Sequence, residues 1–334
     1  MNWFRRSPPA APPTVPGQNL VSAQRYRPLS AEDQQADQDA LERGDLPSRV
    51  RSRLEATRAG DRPWLSTLDI SDWYFARGLR IEPVGQVAGS AYYHVATDGR
   101  GRELLDGNSD AINLIRGYYA ARDLAVDRLI QEARLAAAHA IIDAKIHVSR
   151  RDRVIEASIM GTAIRWPEVA RPSQAIPVSP LSGEEFFKLA GIGWLPVGLA
   201  FGYHWHVMPV GYRTRQISGA WWGANQELTS VAERFSRTRE IAVQMLQRDA
   251  ARMGATGVAG VHIDTHVEET EILYTGGFPG QYLVIDNTNY LYEDNGTVEV
   301  PAFNLEFFTT GAAIRRLGRG HLTANAIATY LDTI

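Results

Sequence analysis

The chain contains no cysteine. Disulfides, thiolate zinc sites and thiol nucleophiles are therefore excluded. Lysine is nearly missing as well: only Lys145 and Lys188 carry it, and arginine supplies almost all of the positive charge. Neither sign of charge dominates. Thirty-five basic and 38 acidic residues leave a net charge of -3, which gives no general pull towards nucleic acid or an anionic membrane. Nucleic acid is accordingly not expected as a partner. The motifs HExxH and GxSxG are absent, so zinc-protease and serine-hydrolase chemistry lack their usual scaffolds. At the N-terminus, Arg5 and Arg6 are followed by proline-rich sequence where a signal peptide needs an apolar run. No targeting segment and a cytoplasmic location are expected.

What remains is ordinary globular composition: 44% hydrophobic and 22% charged residues over 334 positions. That length allows about two domains of roughly 150 residues each. The chain repeats itself. "LDISDWYFARGLRIEPVGQVAG" (68–89) aligns without gaps on "LSGEEFFKLAGIGWLPVGLAFG" (181–202), pairing Asp72 with Glu185, Gly78 with Gly191 and Gly89 with Gly202. Further on, "RDLAVDRLIQEA" (122–133) aligns with "REIAVQMLQRDA" (239–250), and "GTAIR" (161–165) with "GAAIR" (311–315). Three blocks in the same order indicate a duplicated unit.

The duplication settles the nature of the apolar stretch 189–212, which has the length of a membrane span. Its first copy holds Arg77, Arg80 and Glu82, charges that a bilayer would not accept. Both copies are expected to form a short helix, a glycine stop and a strand, and no integral membrane segment is expected. Long helices are expected over 110–137 and 226–253. Tyr118, Ala125, Leu129 and Ala133 mark the buried face of the first, and Phe235, Ala242, Leu246 and Ala250 that of the second. Alternating segments follow each helix.

The fold class is therefore α+β, with one long helix on an antiparallel sheet in each copy. The expected division is a proline-rich, partly disordered arm with a charged helix (1–62), a first repeat (63–168), a linker (169–180), a second repeat (181–318) and a terminal helix (319–334). An inserted hairpin is expected at about 270–300. The arm is a candidate for binding a protein partner.

A helix running into "MGATGVAGVHID" (253–264), followed by a strand ending in "GTAIR" or "GAAIR", resembles the YbjQ-like family. Those domains are described as heavy-metal-binding. "AAHAIIDAKIH" (137–147) is a weaker match, with Ala137 and Asp143 at the two glycine positions. The tandem arrangement is similar to actinobacterial proteins of that description. The resemblance covers roughly 240 residues. It implies dodecin-like β-α-β-β units and a homo-oligomer, typically a pentamer-based ring. With no nucleophile in a recognisable turn, the protein is expected not to be an enzyme, a metal-dependent hydrolase being the distant alternative.

The glycines of 253–264 follow a helix rather than precede one, so they do not form a phosphate loop. Gly254 suits the left-handed residue that ends a helix. The strand "VHIDTHVEE" (261–269) places His262, Asp264, His266 and Glu268 on one face. Imidazole and carboxylate together suit Zn, Ni, Cu or Fe ions. Same-face neighbours on a strand lie about 6.6 Å apart, so a complete site needs outside help. His204 and His206 of "YHWHV" are the candidates for it. The corresponding positions of the first copy are Lys145, His147, Ser149 and Arg151, so any metal belongs to the second copy or to the interface between the copies. Tyr92, Tyr93, Tyr203, Trp205, Trp221 and Trp222 are expected to fill core or subunit interfaces before they stack on a ligand. The functional expectation is an oligomeric protein binding a transition metal; the alternative is an assembly scaffold with no bound ion.

Overall fold

The computed structural model describes residues 30–78, 80–96, 109–166, 176–211, 229–285 and 288–316. Trp221, Trp222, the proline-rich stretch and the expected terminal helix lie outside them. The chain divides into two compact units at Ser48/Arg49. In the first, α1 (Ala31–Glu42) is capped by Ser30, whose side chain accepts the Asp33 N–H. Gly44 then turns the chain at φ 75°.

The second unit begins at Arg49, one residue into the next helix. After α2 (Ser48–Ala59) come α3 (Ile70–Gly78), β1 (Glu82–His94), α4 (Ser109–Leu135), β2 (Ala140–Arg151) and β3 (Val154–Arg165). The same order then returns as α5 (Gly183–Gly191), β4 (Trp194–Pro209), α6 (Thr229–Arg252), β5 (Gly257–Thr275) and β8 (Thr297–Arg316). A small hairpin, β6 (Tyr282–Ile285) and β7 (Thr288–Leu291), falls between β5 and β8. Two antiparallel three-stranded sheets result, ordered β1-β3-β2 and β4-β8-β5. The molecule is thus α/β-mixed with antiparallel sheets, in line with an α+β fold. None of the described helices is long and apolar enough to cross a membrane.

The two sheets share their irregularities. Register slips at Pro83/Gly85 in β1 and at Pro196/Gly198 in β4, the two copies of "PVG". It slips again at Ile142/Lys145 in β2 and at Ala259/His262 in β5. In those two bulges, Asp143 and Gly260 take φ 50° and 61°. Both long helices end in a Schellman arrangement. Ala138 N–H donates to Ala133 and Ala137 N–H to Arg134, matched by Ala255 to Ala250 and Gly254 to Ala251. The residue at the left-handed position is Gly254 (φ 71°) in one copy and Ala137 (φ 58°) in the other. Alanine pays a steric cost there that glycine avoids. Ala137→Gly is therefore expected to stabilise the protein by about 1 kcal/mol, read as a raised urea midpoint with an unchanged slope.

Helix α4 lies between the sheets. Ala125, Leu129 and Ala133 are buried with Val87, Ala91 and Ile159 of the first sheet. Tyr119 and Arg122 reach β4 instead: the Tyr119 ring meets Phe201 edge-on at 5.3 Å, and Arg122 sits 5.6 Å above the same ring. Leu199, Phe201 and Tyr203 therefore join the core of the first repeat. Helix α6 covers the opposite face of β4, burying Leu246 and Ala250 with Ala200. The two copies consequently share one continuous interior.

Candidate functional site

Strand β5 is the outer strand of its sheet, and from Gly260 to Glu271 both of its faces are exposed. His262, Asp264, His266 and Glu268 stand opposite Thr310, Phe308, Glu306 and Asn304 of β8. They do share a face, as their spacing predicts. His262 Nε2 lies 3.0 Å from Asp264 Oδ1. This face looks into a cavity of about 520 Å³, whose other wall is the stretch Ile146–Arg150 of β2 and whose floor includes Tyr118 and Phe308.

His204 and His206 do not join them. They stand opposite Phe307 and Leu305, residues of β8 that alternate with Glu306 and Phe308 and so point to the other side of the sheet. Strand β8 separates the two groups as well. His204 is pushed below the usual imidazole range by burial, with the neighbouring His206 adding to the shift. Burial lowers His206 too, helped by Arg234 and Arg237 of α6. The His204 Nδ1 atom is buried with no hydrogen-bond partner. The six residues expected to hold a metal are thus split between opposite faces of one sheet. Among the described residues no group of three or more His, Asp or Glu side chains is placed to hold an ion.

The polar chemistry of the cavity belongs to a residue that the motifs did not single out. Glu306 is buried, and its carboxylate accepts from Arg150 Nη2 at 3.0 Å, Tyr118 Oη at 3.3 Å and Asn304 Nδ2 at 3.4 Å. The rings of Tyr118 and Tyr203 lie 3.8 Å apart. Burial first, and then the Glu306 charge, raises both phenols well above their ordinary range. Two protonated phenols, a carboxylate and a guanidinium brace the two sheets. They offer no nucleophile with an adjacent base. In the first copy the equivalent residue, Glu156, accepts from Tyr92 Oη at 3.0 Å on an exposed face.

A second missed feature occurs twice. Glu132 of α4 accepts the Ala88 N–H at 2.9 Å and Arg53 Nη2 at 2.6 Å. Asp249 of α6 accepts the Phe201 N–H at 3.0 Å and Arg122 Nη2 at 3.0 Å. β1 and β4 are outer strands, so each needs an acceptor for N–H groups that face away from the sheet. A helical carboxylate provides it, and an arginine neutralises the carboxylate. The arginine comes from α2 in the first copy and from α4 in the second. The signal was in the sequence: Glu132 and Asp249 are aligned acids, each one residue before a buried alanine of a long helix.

No protein-family model matches the chain. No solved structure matches it. A curated relative does. The chain is 26% identical over 283 residues to an encapsulin nanocompartment protein of Mycobacterium tuberculosis. The match covers 82% of this chain and 94% of that protein.

This finding overturns the resemblance to YbjQ-like domains, and with it the heavy-metal-binding description. It also overturns transition-metal binding as the main functional expectation. The physical reason lies in the motif. Its glycine positions, Gly254 and Gly260, are the left-handed helix end and the left-handed bulge. Ala137 and Asp143 adopt the same backbone in the first copy. The pattern reports how a helix turns into a bulged strand, a geometry that a short apolar motif records whatever the protein does.

Proposed function

We propose that this protein is a non-enzymatic, self-associating component of a protein compartment. The observation that carries the reading is the match to the nanocompartment protein over most of both chains. The surface is compatible with it. β5 offers an open sheet edge with Val261, Ile263 and Val267 at 49%, 38% and 48% exposure, and unpaired edges are sites of association. The internal network of Glu306, Tyr118 and Arg150 is structural in this reading, and the cavity is a seam between sheets.

The finer parts belong to the same proposal. The two tandem repeats, 63–168 and 181–318, act as dodecin-like units carried on one chain. The N-terminal segment 1–62 recruits a protein partner, and the assembly is cytoplasmic. Native mass spectrometry of the full chain tests the core of the reading. A closed assembly of defined copy number is expected, with a pentamer-based ring as the stoichiometry to compare. A monomer across the concentration range from 1 to about 100 μM, well above typical specific affinities, overturns it.

A further inference from the structure

The geometry points to β5 pairing with the β5 of a second copy, antiparallel and centred on Thr265. This deepens the assembly reading and rests on it, because it names the surface and the partner. Four observations carry the inference.

The first is the edge itself. From His262 to Thr275 the pairing of β5 with β8 runs without a slip, so the outer edge of β5 is regular. No strand pairs with that edge among the described residues. The second is the contrast with the first copy. There the first part of the outer edge of β2, residues 141–144, is covered from within the chain. Ile141 pairs with Val178, and Asp143 and Ala144 N–H groups donate to the carbonyls of Leu181 and Ser179.

The third is charge. An antiparallel two-fold pair centred on residue 265 sets each residue opposite one equally far on the other side of the centre. His262 then faces Glu268 of the second copy, and Asp264 faces His266. The two-fold repeats both contacts, so each carboxylate of this face meets an imidazole. Asp264 already lies 3.0 Å from His262 of its own strand, and the pairing adds a second imidazole on its other side. The fourth is the apolar face. In the same register Ile263 meets Val267, covering side chains that are 38% and 48% exposed in the single chain. A shift by one residue would set unlike faces against each other, with Asp264 opposite Val267 and Ile263 opposite Glu268, because the side-chain period of a strand is two. The sequence "HIDTH" with its flanking Val267 and Glu268 is thus complementary to itself, as a two-fold interface requires. The charged face that guards an edge against general aggregation here selects one register.

The absence of cysteine makes the test direct. Thr265→Cys introduces a single thiol that lies opposite its own copy, so oxidation or a short bismaleimide is expected to convert most of the protein to a covalent dimer. Val261→Cys puts the two thiols eight positions apart, roughly 27 Å along the strand, and is expected to stay unlinked. Charge provides an independent arm. His262→Glu with His266→Glu sets carboxylates opposite carboxylates, and separately Asp264→Lys with Glu268→Lys leaves ammonium groups opposite imidazoles with no carboxylate to pair. Each variant is expected to weaken self-association about tenfold or more, while an equimolar mixture restores it. All four positions are exposed, and unchanged circular dichroism confirms that the variants fold. A wild-type assembly that persists in both charge variants, with no cross-link at 265, overturns this interface and leaves the assembly reading standing. Equal cross-linking at 261 and 265 overturns the register and so the inference. A wild-type monomer overturns both.

Discussion

Gly202→Ala is expected to destabilise the protein by at least about 3 kcal/mol, and Gly89→Ala by a similar amount. A β-carbon on Gly202 would lie 2.6 Å from the Leu246 nitrogen and collide with the Ala242 carbonyl oxygen; one on Gly89 would lie 2.7 Å from the Leu129 nitrogen and collide with the Ala125 carbonyl oxygen. These obstacles are helix backbone, which cannot swing aside as a side chain does; at Gly202 the Thr309 hydroxyl lies 2.5 Å away as well. Relief requires the whole helix to lift, which would open the contacts of Ala125 and Leu129 in one case and Ala242 and Leu246 in the other. All four side chains are buried. At Gly202 the closeness is also fastened: the Thr309 hydroxyl lies 3.1 Å from the Gly202 carbonyl and 3.3 Å from that of Ala242. Chemical denaturation followed by circular dichroism measures the loss. Gly191→Ala is the control, because nothing lies within 4 Å of a β-carbon there; it is expected to be neutral or stabilising by up to about 1 kcal/mol. Loss at Gly191 equal to that at Gly202 would contradict the close-approach argument.

That pair of glycines shows how much of the fold could be read directly. Gly89 and Gly202 align in the sequence because each receives a helix, and the aligned helix faces are those that bury Tyr118, Ala125, Leu129 and Ala133, and Ala242, Leu246 and Ala250. The short helix before β4 was equally legible; the structure adds a reciprocal cap of Ser182 and Glu185 and a turn at Gly193 with φ 81°. Such features are local, and local rules of spacing and backbone geometry suffice for them.

The candidate site was less legible, and the reason is strand order. Alternation places His262, Asp264, His266 and Glu268 on one face, and it places His204 and His206 on one face. It is silent on whether the two faces coincide. That depends on which strand lies between β4 and β5, and on the register of each with β8. Glu306 escaped notice because nothing around it in "NLEFF" marks it as buried. Its partners, Arg150 and Tyr118, come from more than 150 residues away in the chain. The edge of β5 was visible as a polar strand, but a polar strand suits water, a metal or a second copy alike. Its self-complementarity has meaning only once the edge is known to be open.

The twin carboxylates give the second large effect, because the two copies differ in exposure while sharing their geometry. Arg122 and Asp249 are both buried, with each side chain 9% exposed. Arg122→Met strands the Asp249 carboxylate with the Phe201 N–H as its remaining partner, and is expected to cost about 3–5 kcal/mol. Arg53 is 37% exposed although Glu132 is 4% exposed, so water can replace its guanidinium. Arg53→Met is accordingly expected to cost under about 2 kcal/mol. Adding Asp249→Leu to Arg122→Met removes the stranded charge but leaves the Phe201 N–H without its acceptor, a penalty of about 1–3 kcal/mol. The double variant should therefore be more stable than Arg122→Met alone and less stable than the wild type. A double-mutant cycle in urea measures the coupling. Additive losses at Arg122 and Asp249 would mean that the carboxylate serves the strand N–H alone and the arginine serves the aromatic rings of Tyr119 and Phe201, 5.7 and 5.6 Å away. A coupling of several kcal/mol would make the pair the clasp between the repeats, since Arg122 belongs to the helix of one copy and Asp249 to that of the other.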